Sequence, residues 1–562
     1  MIGKTLIKSD NLIRDKKAVP YIVNTLLVAM VFIMMYGIDV LDVTNDSWLS
    51  GMGDGSDITQ HYFGWIAYRR SEWSFPLGMG YGLNGSDPFS IVYTDSIPLV
   101  AFIFKLLRGL LPETFQYFGL YGFATFILMA CFITKICNRY NISGFYSGLV
   151  SLMVCFNSIM LWKMYFQTGL ASHWLLLWAI DILLSQRDKE SKISKSIVAN
   201  MLGLGFVSVS IHSYLFLLCG LVLGTFLIYE AIRKRSLVSS IVYGLCYSIA
   251  GIFALWMWGG FTAKQMDNGS IEACGLNLNS FYNPGQWGNI ILPGYPMIGI
   301  QQDLDSYMYM GAGILLMVVI TVILCVISMI KGSCKLNKAL AASVVMVSLL
   351  SVFLAASPQI TFNDKIVCQY NVPESLYDIW AIFRTAARIA WVVYYFIVVF
   401  GFIELYRKSP QKYRSIIIAL VFAIQLIDLS PMLLSVRYTL DHDMESLYVL
   451  DDNQVWTYID NNSSLDEFVF FSADYQDNPI TIFPVTEYAL DHDMSVNQFY
   501  FARYAYNAGK DAEAIEILRS RNESCVYVFT YEDLTQPQII EAVNDTGLVL
   551  YETSGFVLGL FR

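Results

Sequence analysis

Between Tyr21 and Leu434 the chain repeatedly runs through about 17–25 mostly apolar residues, the length that carries a helix across about 30 Å of hydrocarbon. The pattern predicts spans at 21–39, 115–136, 144–161, 169–185, 196–212, 213–230, 237–258, 308–330, 338–356, 389–406 and 414–434, eleven in all. After Leu434 such runs stop. From Val436 onward short β-rich stretches at 468–472, 481–485, 525–530 and 556–561 alternate with helical stretches at 497–508 and 511–519. That alternation predicts a small soluble α/β domain over 436–562, following a membrane domain over 1–435. No G-x-G-x-x-G follows a strand in the tail, and no internal repeat is present.

Lysine and arginine near span ends orient the chain. With the N-terminus cytoplasmic, Lys135 and Arg139, then Arg187, Lys189, Lys192 and Lys195, then Arg233, Lys234 and Arg235, then Lys331, Lys335 and Lys338, and finally Arg407, Lys408, Lys412 and Arg414 all fall inside. This holds only if the apolar run 91–107 lies in or re-enters the outer interface without crossing. Loops at about 40–114, 259–307 and 357–388 then share the outer face with the tail. Lys4, Lys8, Arg14, Lys16 and Lys17 stand far from the first apolar run, and no small-residue cleavage site follows it, so 21–39 reads as a retained helix.

Composition supports a membrane class and narrows the partners. Side chains are 56% apolar and 15% charged, with a mean hydropathy of +0.50. The 36 basic residues against 46 acidic ones leave a net charge of −10, and no basic face is concentrated enough to track nucleic-acid phosphates. Ten scattered cysteines without a C-x-x-C pair indicate neither a zinc site nor a disulfide framework.

Ionisable groups at membrane depth are costly and mark candidate sites. Most sit on the outer side: Asp54, Asp57 and His61 in the first loop, then Asp87, Asp95, Lys163, His173, His212, Arg384 and Arg388. Together they point to an outward-facing pocket. Asp54 and Asp57 fit two roles, turn or helix N-cap formers or a general base toward an acceptor hydroxyl. His61, four residues after Asp57, shares its helix face; by itself it equally suits a structural hydrogen bond. Arg69 and Arg70, with Trp65 and Trp73, read either as an interfacial aromatic belt with snorkelling arginines or as a cradle for a lipid phosphate. Arg384 and Arg388, spaced by four, share a helix face and suit bidentate phosphate binding, with salt bridges to outer carboxylates as the alternative. D-H-D-M at 441–444 and again at 491–494 offers His and Asp for a metal, with coincidence the favoured reading.

The segments G-D-G-S-D-I-T-Q-H-Y-F-G-W-I-A-Y-R-R-S-E-W-S-F-P-L-G, S-I-V-Y-T-D-S-I-P-L-V-A-F-I-F-K, L-P-E-T-F-Q-Y-F-G-L-Y, S-H-W-L-L-L, H-S-Y-L, Y-M-G-A-G and F-R-T-A-A-R-I-A-W-V-V-Y-Y resemble a bacterial multi-pass membrane family of unknown function. That family looks like part of the GT-C superfamily of membrane glycosyltransferases. The resemblance implies a GT-C-like α-helical polytopic fold in the bacterial inner membrane, with the C-terminal α/β domain extracytoplasmic. It implies transfer of a sugar from a polyprenyl-phosphate carrier to an extracytoplasmic cell-envelope glycan acceptor. It also implies an acidic residue of the first outer loop, Asp57 or next Asp54, as base or as ligand of a divalent metal, and Arg384 and Arg388 on the lipid phosphate. The chain departs from the expected pattern at Lys163, Gln167 and Ala387. A non-catalytic transporter of lipid-linked precursors or an envelope scaffold is the alternative class.

Overall fold

The computed structural model describes residues 18–50, 57–142, 144–185, 193–234, 237–263, 271–287, 290–298, 307–332, 337–442, 450–472, 479–502, 506–507 and 509–561. Among them eight helices are long and apolar enough to cross a membrane: Val19–Tyr36, Phe118–Arg139, Ser213–Arg233, Val238–Met257, Ala312–Ile330, Lys338–Ala356, Ala386–Lys408 and Arg414–Tyr438. The chain is a multi-pass membrane protein. The other three predicted segments are helical but not single helices of that length, and the bent pair within 144–161 is long and apolar enough when its two halves are taken together. Trp174–Ser185 has 12 residues and Lys195–Ile211 has 17, and the segment 144–161 is not one rod. Gly144–Cys155 and the helix beginning at Ser158 meet at 54°, because Asn157 starts a new helix, its Oδ1 accepting from the N–H groups of Ile159 and Met160. Pro98–Leu106 spans nine residues, about 14 Å, too short to cross, which agrees with the charge pattern.

Burial separates the bundle's axis from its rim. The window in Ala386–Lys408 is 89% buried, against 22% in Ala312–Ile330 and 28% in Val19–Tyr36, so the first is the central strut and the others present apolar faces outward. That strut packs on Trp174–Ser185, Ser213–Lys234, Ala312–Ile330 and Lys338–Ala356. The last long helix continues past the predicted end at 434 and runs Arg414–His442.

Strands of the C-terminal domain lie in the order Ser495–Val496, Glu467–Phe470, Cys525–Phe529, Val557–Leu560, Val549–Glu552, the first three parallel and the rest antiparallel. Side chains alternate across this sheet. Phe468, Phe470, Val526 and Val528 join the large core that runs on into the membrane bundle. Val469, Phe471, Tyr527 and Phe529 enclose a second core under Lys510–Arg519 and Pro537–Thr546.

Two predictions in the tail are corrected. The stretch 481–485 belongs to helix Pro479–Asp491: Pro479 sits at its first turn, and Ile482, Thr486 and Ala489 are buried at helical spacing. Residues 497–502 form no α-helix. Instead the Asn497 amide exchanges hydrogen bonds with the Phe470 backbone, extending the chain along the sheet edge.

The tail docks on the segment after the first span. Phe63 meets Phe483 and Phe499 at ring separations of 6.0 and 6.4 Å, and Arg70 pairs with Asp491 at 3.1 Å. Val496 bonds through both backbone groups to Gly82 and Gly85.

Candidate functional site

Helix Asp57–Arg70 carries the first candidate at its first residue. Almost the whole helix is buried, because Gly64 lets the 91–97 segment approach it closely. A β-carbon at Gly64 would overlap Thr94 Oγ1 and Ser96 Oγ. Ser96 Oγ donates to the His61 carbonyl at 2.6 Å, and Asp95 sits beside it at φ 51°.

Both carboxylate oxygens of Asp57 are engaged by tertiary partners. Gln167 Nε2 donates to Oδ2, and Tyr500 Oη, from the C-terminal domain, donates to Oδ1 at 3.0 Å. The Tyr500 backbone is itself held by Gln60 Nε2, 2.8 Å from its carbonyl. The other end of the Gln167 amide binds cations: Oε1 accepts from Lys163 Nζ at 2.6 Å and from Arg388 at 3.2 Å. This fixes the amide orientation, since a flipped –NH2 would face two obligate donors. Lys163 and Arg388 are only 2% and 4% exposed, so the carboxylate, the amide and the two cations form one buried network where charge-assisted bonds are strong.

A second arm reaches the same arginine. His212 breaks the chain between Lys195–Ile211 and Ser213–Lys234. Its Nδ1 accepts from the Tyr214 N–H at 3.2 Å, which leaves the proton on Nε2, 3.5 Å from Asp95 Oδ1. The Tyr214 ring lies 4.9 Å from the Arg388 guanidinium, and its hydroxyl accepts from the Thr385 N–H. His61 is 2% exposed, and its Nδ1 has no hydrogen-bond partner among the described residues. Burial holds its imidazole below the usual range, against the opposing pull of Asp95 and Asp57.

The structure therefore brings together Asp57, Lys163, Arg388, Asp95 and His212, with His61 one helical turn from Asp57. Other candidates stand differently. Arg69 donates to the carbonyls of Leu111, Pro112 and Glu113, tying its helix to the next loop and making no phosphate cradle. His173 turns to Tyr395, with Nδ1 to Oη at 2.7 Å, and packs on Trp391 at 4.8 Å. Arg384 and Arg388 do not share a helix face. Within the strut Ala386–Lys408 the α-helix proper starts at Trp391, Arg388 lies in the 3-10 turn Ala386–Ala390 that leads into it, and Arg384 precedes that turn. Bonds from Thr385 N to Tyr214 Oη and from Ala387 N to the Cys274 carbonyl hold the backbone out of helical form. Asp54 and the first D-H-D-M beyond His442 lie outside the described residues. In the second, His492 is absorbed by the Tyr488 carbonyl and Asp460.

Among the described residues no group of three His, Cys, Asp or Glu side chains gathers as metal ligands. With both Asp57 oxygens engaged, these residues do not fit a divalent cation. Two cavities lie against the C-terminal domain, one of about 290 Å3 beside Asp46, Tyr62, Arg70, Glu487 and Asp491, the other of about 420 Å3 beside Tyr81, Asn84 and Tyr506.

Gln167, Tyr214 and Tyr500 belong to the site although their residue types do not mark them in the sequence. Only Gln167 carried a signal, its i,i+4 spacing from Lys163. No curated protein matches the chain significantly. Residues 25–430 match the family model described as a domain of unknown function, DUF6311, and residues 455–560 match the model described as the DUF6311 C-terminal domain. The match covers most of the chain, which therefore belongs to the DUF6311 family.

Proposed function

We propose that the protein is a GT-C-type membrane glycosyltransferase that moves a sugar from a polyprenyl-phosphate carrier to an extracytoplasmic cell-envelope glycan. In this reading it sits in a bacterial inner membrane with eleven spans, the N-terminus cytoplasmic, and the site and C-terminal domain outside. One observation carries the reading: Gln167 Oε1 accepts from both Lys163 and Arg388 while its other end meets Asp57. A neutral acceptor thus occupies the place between two buried cations where a phosphate oxygen would bind more strongly.

Displacement of Gln167 by the donor phosphate would free the Asp57 carboxylate. The sugar's anomeric carbon would then lie between the phosphate on Lys163 and Arg388 and an acceptor hydroxyl on Asp57. Attack by that hydroxyl forms the new glycosidic bond. Asp57 takes its proton, the bond to the phosphate oxygen breaks, and the cations stabilise the departing polyprenyl phosphate. Arg384, just before the Arg388 turn, adds positive charge on the same approach.

The engagement of both Asp57 oxygens by protein groups favours a second reading, a binder of lipid-linked precursors that performs no reaction. Sugar release from a radiolabelled polyprenyl-phosphate donor separates the two. Asp57→Asn is expected to abolish transfer in protein that retains its native melting profile. Undiminished transfer by that variant would remove Asp57 as the base.

A further inference from the structure

We infer that the cavity of about 420 Å3 between the 74–88 segment, Thr262 and the C-terminal domain is a carbohydrate-binding subsite for a neutral glycan. Its role as the acceptor's seat rests on the transferase reading; the binding itself does not. The volume lies within the range of about 300–1,000 Å3 of small-molecule sites.

Its lining has the chemistry of sugar recognition. Phe75 and Tyr81 are 60% and 41% exposed, offering aromatic faces to the C–H faces of pyranose rings. Exposed aromatics grouped at a cavity signal an interaction surface. Between them lie polar groups that the protein leaves unsatisfied. Asn84 is only 5% exposed, lines the cavity, and its Oδ1 has no hydrogen-bond partner among the described residues. Ser74 Oγ, also at the cavity, is equally unpartnered among them. Buried polar atoms in that condition are rare and destabilising, and a rotation of either side chain toward the cavity would let a ligand hydroxyl satisfy it. The exposed Asp87 carboxylate can accept from a vicinal diol.

Charge at the described lining favours a neutral occupant over an anionic one. The described lining holds one carboxylate and no lysine or arginine. The walls are also built for permanence. Tyr506 Oη is bonded to Ser90 N at 2.9 Å and to Thr262 Oγ1 at 2.7 Å. The turn bearing Asn84 is clamped by Gly85 N on the Val496 carbonyl at 2.7 Å and by Val496 N on the Gly82 carbonyl at 3.0 Å. The C-terminal domain thereby completes the cavity.

The test uses the full chain in phospholipid nanodiscs, which avoids sugar-headed detergents. Saturation-transfer NMR would be run with neutral hexose and N-acetylhexosamine oligosaccharides, and with glycerol phosphate as the anionic probe. Wild type is expected to bind at least one neutral oligosaccharide but not glycerol phosphate. Tyr81→Ala and Asn84→Ala are each expected to weaken binding at least about tenfold. Absence of oligosaccharide binding, preference for glycerol phosphate, or wild-type affinity in both cavity variants would overturn the inference. Loss of transfer in Asp57→Asn alongside such a result would leave the transferase reading standing. Binding through Tyr81 and Asn84 with normal transfer by Asp57→Asn would do the reverse.

Discussion

Glu487→Gln tests the junction between the two domains through its pH dependence. Glu487 lies on helix Pro479–Asp491 and lines the smaller cavity with Asp46, Tyr62, Arg70 and Asp491. Tyr62 Oη donates to Asp46 at 2.7 Å, and Arg70 is committed to Asp491 at 3.1 Å. Burial, then the charges of Asp491 and Asp46, push the Glu487 carboxyl from its ordinary 4.5 up to about 7. Between those values the folded protein holds a proton that the unfolded chain releases, so stability falls as pH rises. The contribution is fully present below 4.5 and is lost as pH rises through about 7. At about 1.4 kcal/mol per pH unit the swing is about 3.5 kcal/mol at most, less whatever solvent screens at the part-exposed carboxyl. A neutral amide at 487 should abolish this term and leave the variant relatively more stable at pH 8 than at pH 5. Hydrogen exchange of 479–491 in the full-length protein at pH 5, 6, 7 and 8, corrected for intrinsic rates, reads the difference. A variant-to-wild-type difference that stays flat, or that grows toward acid, would refute the reasoning.

Four further outcomes follow from the geometry. Gln167→Leu removes an acceptor shared by two buried cations and a donor to Asp57; with such bonds worth about 1.5–3 kcal/mol each and not additive, denaturation should show a loss of about 3 kcal/mol or more. Tyr500→Phe removes the 3.0 Å bond to Asp57, while the backbone at 500 stays anchored by Gln60; transfer should slow about tenfold, the equivalent of 1.4 kcal/mol, with little change in the melting profile, and a large drop in melting temperature would show a structural role instead. Gly64→Ala forces Thr94 and Ser96 away from the site helix and should destabilise the protein by about 1–3 kcal/mol, seen as faster exchange across 91–97. Cys368, exposed on the hairpin Gln359–Phe362/Lys365–Gln369, should react with an impermeant maleimide applied outside intact spheroplasts; labelling only after lysis would invert the proposed topology.

Much of the membrane fold was legible because each apolar run reports its environment locally: all eleven predicted segments carry helix, and the run before Leu107 forms a helix of only nine residues. The bend at Asn157 was legible in principle, since an asparagine before Ser158 in an apolar run is a helix-start signal, yet hydropathy alone treats it as one residue in a span. The turn carrying Arg388 was not legible. Periodicity places it on a helix, and the distant Tyr214 hydroxyl and Cys274 carbonyl hold it otherwise. The site divides in the same way. Its charges stood out because an ionisable group at membrane depth is costly anywhere in such a chain. The neutral groups that join them carry no such mark. Tyr500 is one of 36 tyrosines, separated from Asp57 by 443 positions, and nothing near it in the chain distinguishes it. Gln167 is visible only through its spacing from Lys163. A buried cation and a buried carboxylate each need a partner, so the charges could be expected to meet. That they meet through an amide, beneath a tyrosine supplied by the C-terminal domain, is a property of the assembled fold, and it makes that domain part of the site.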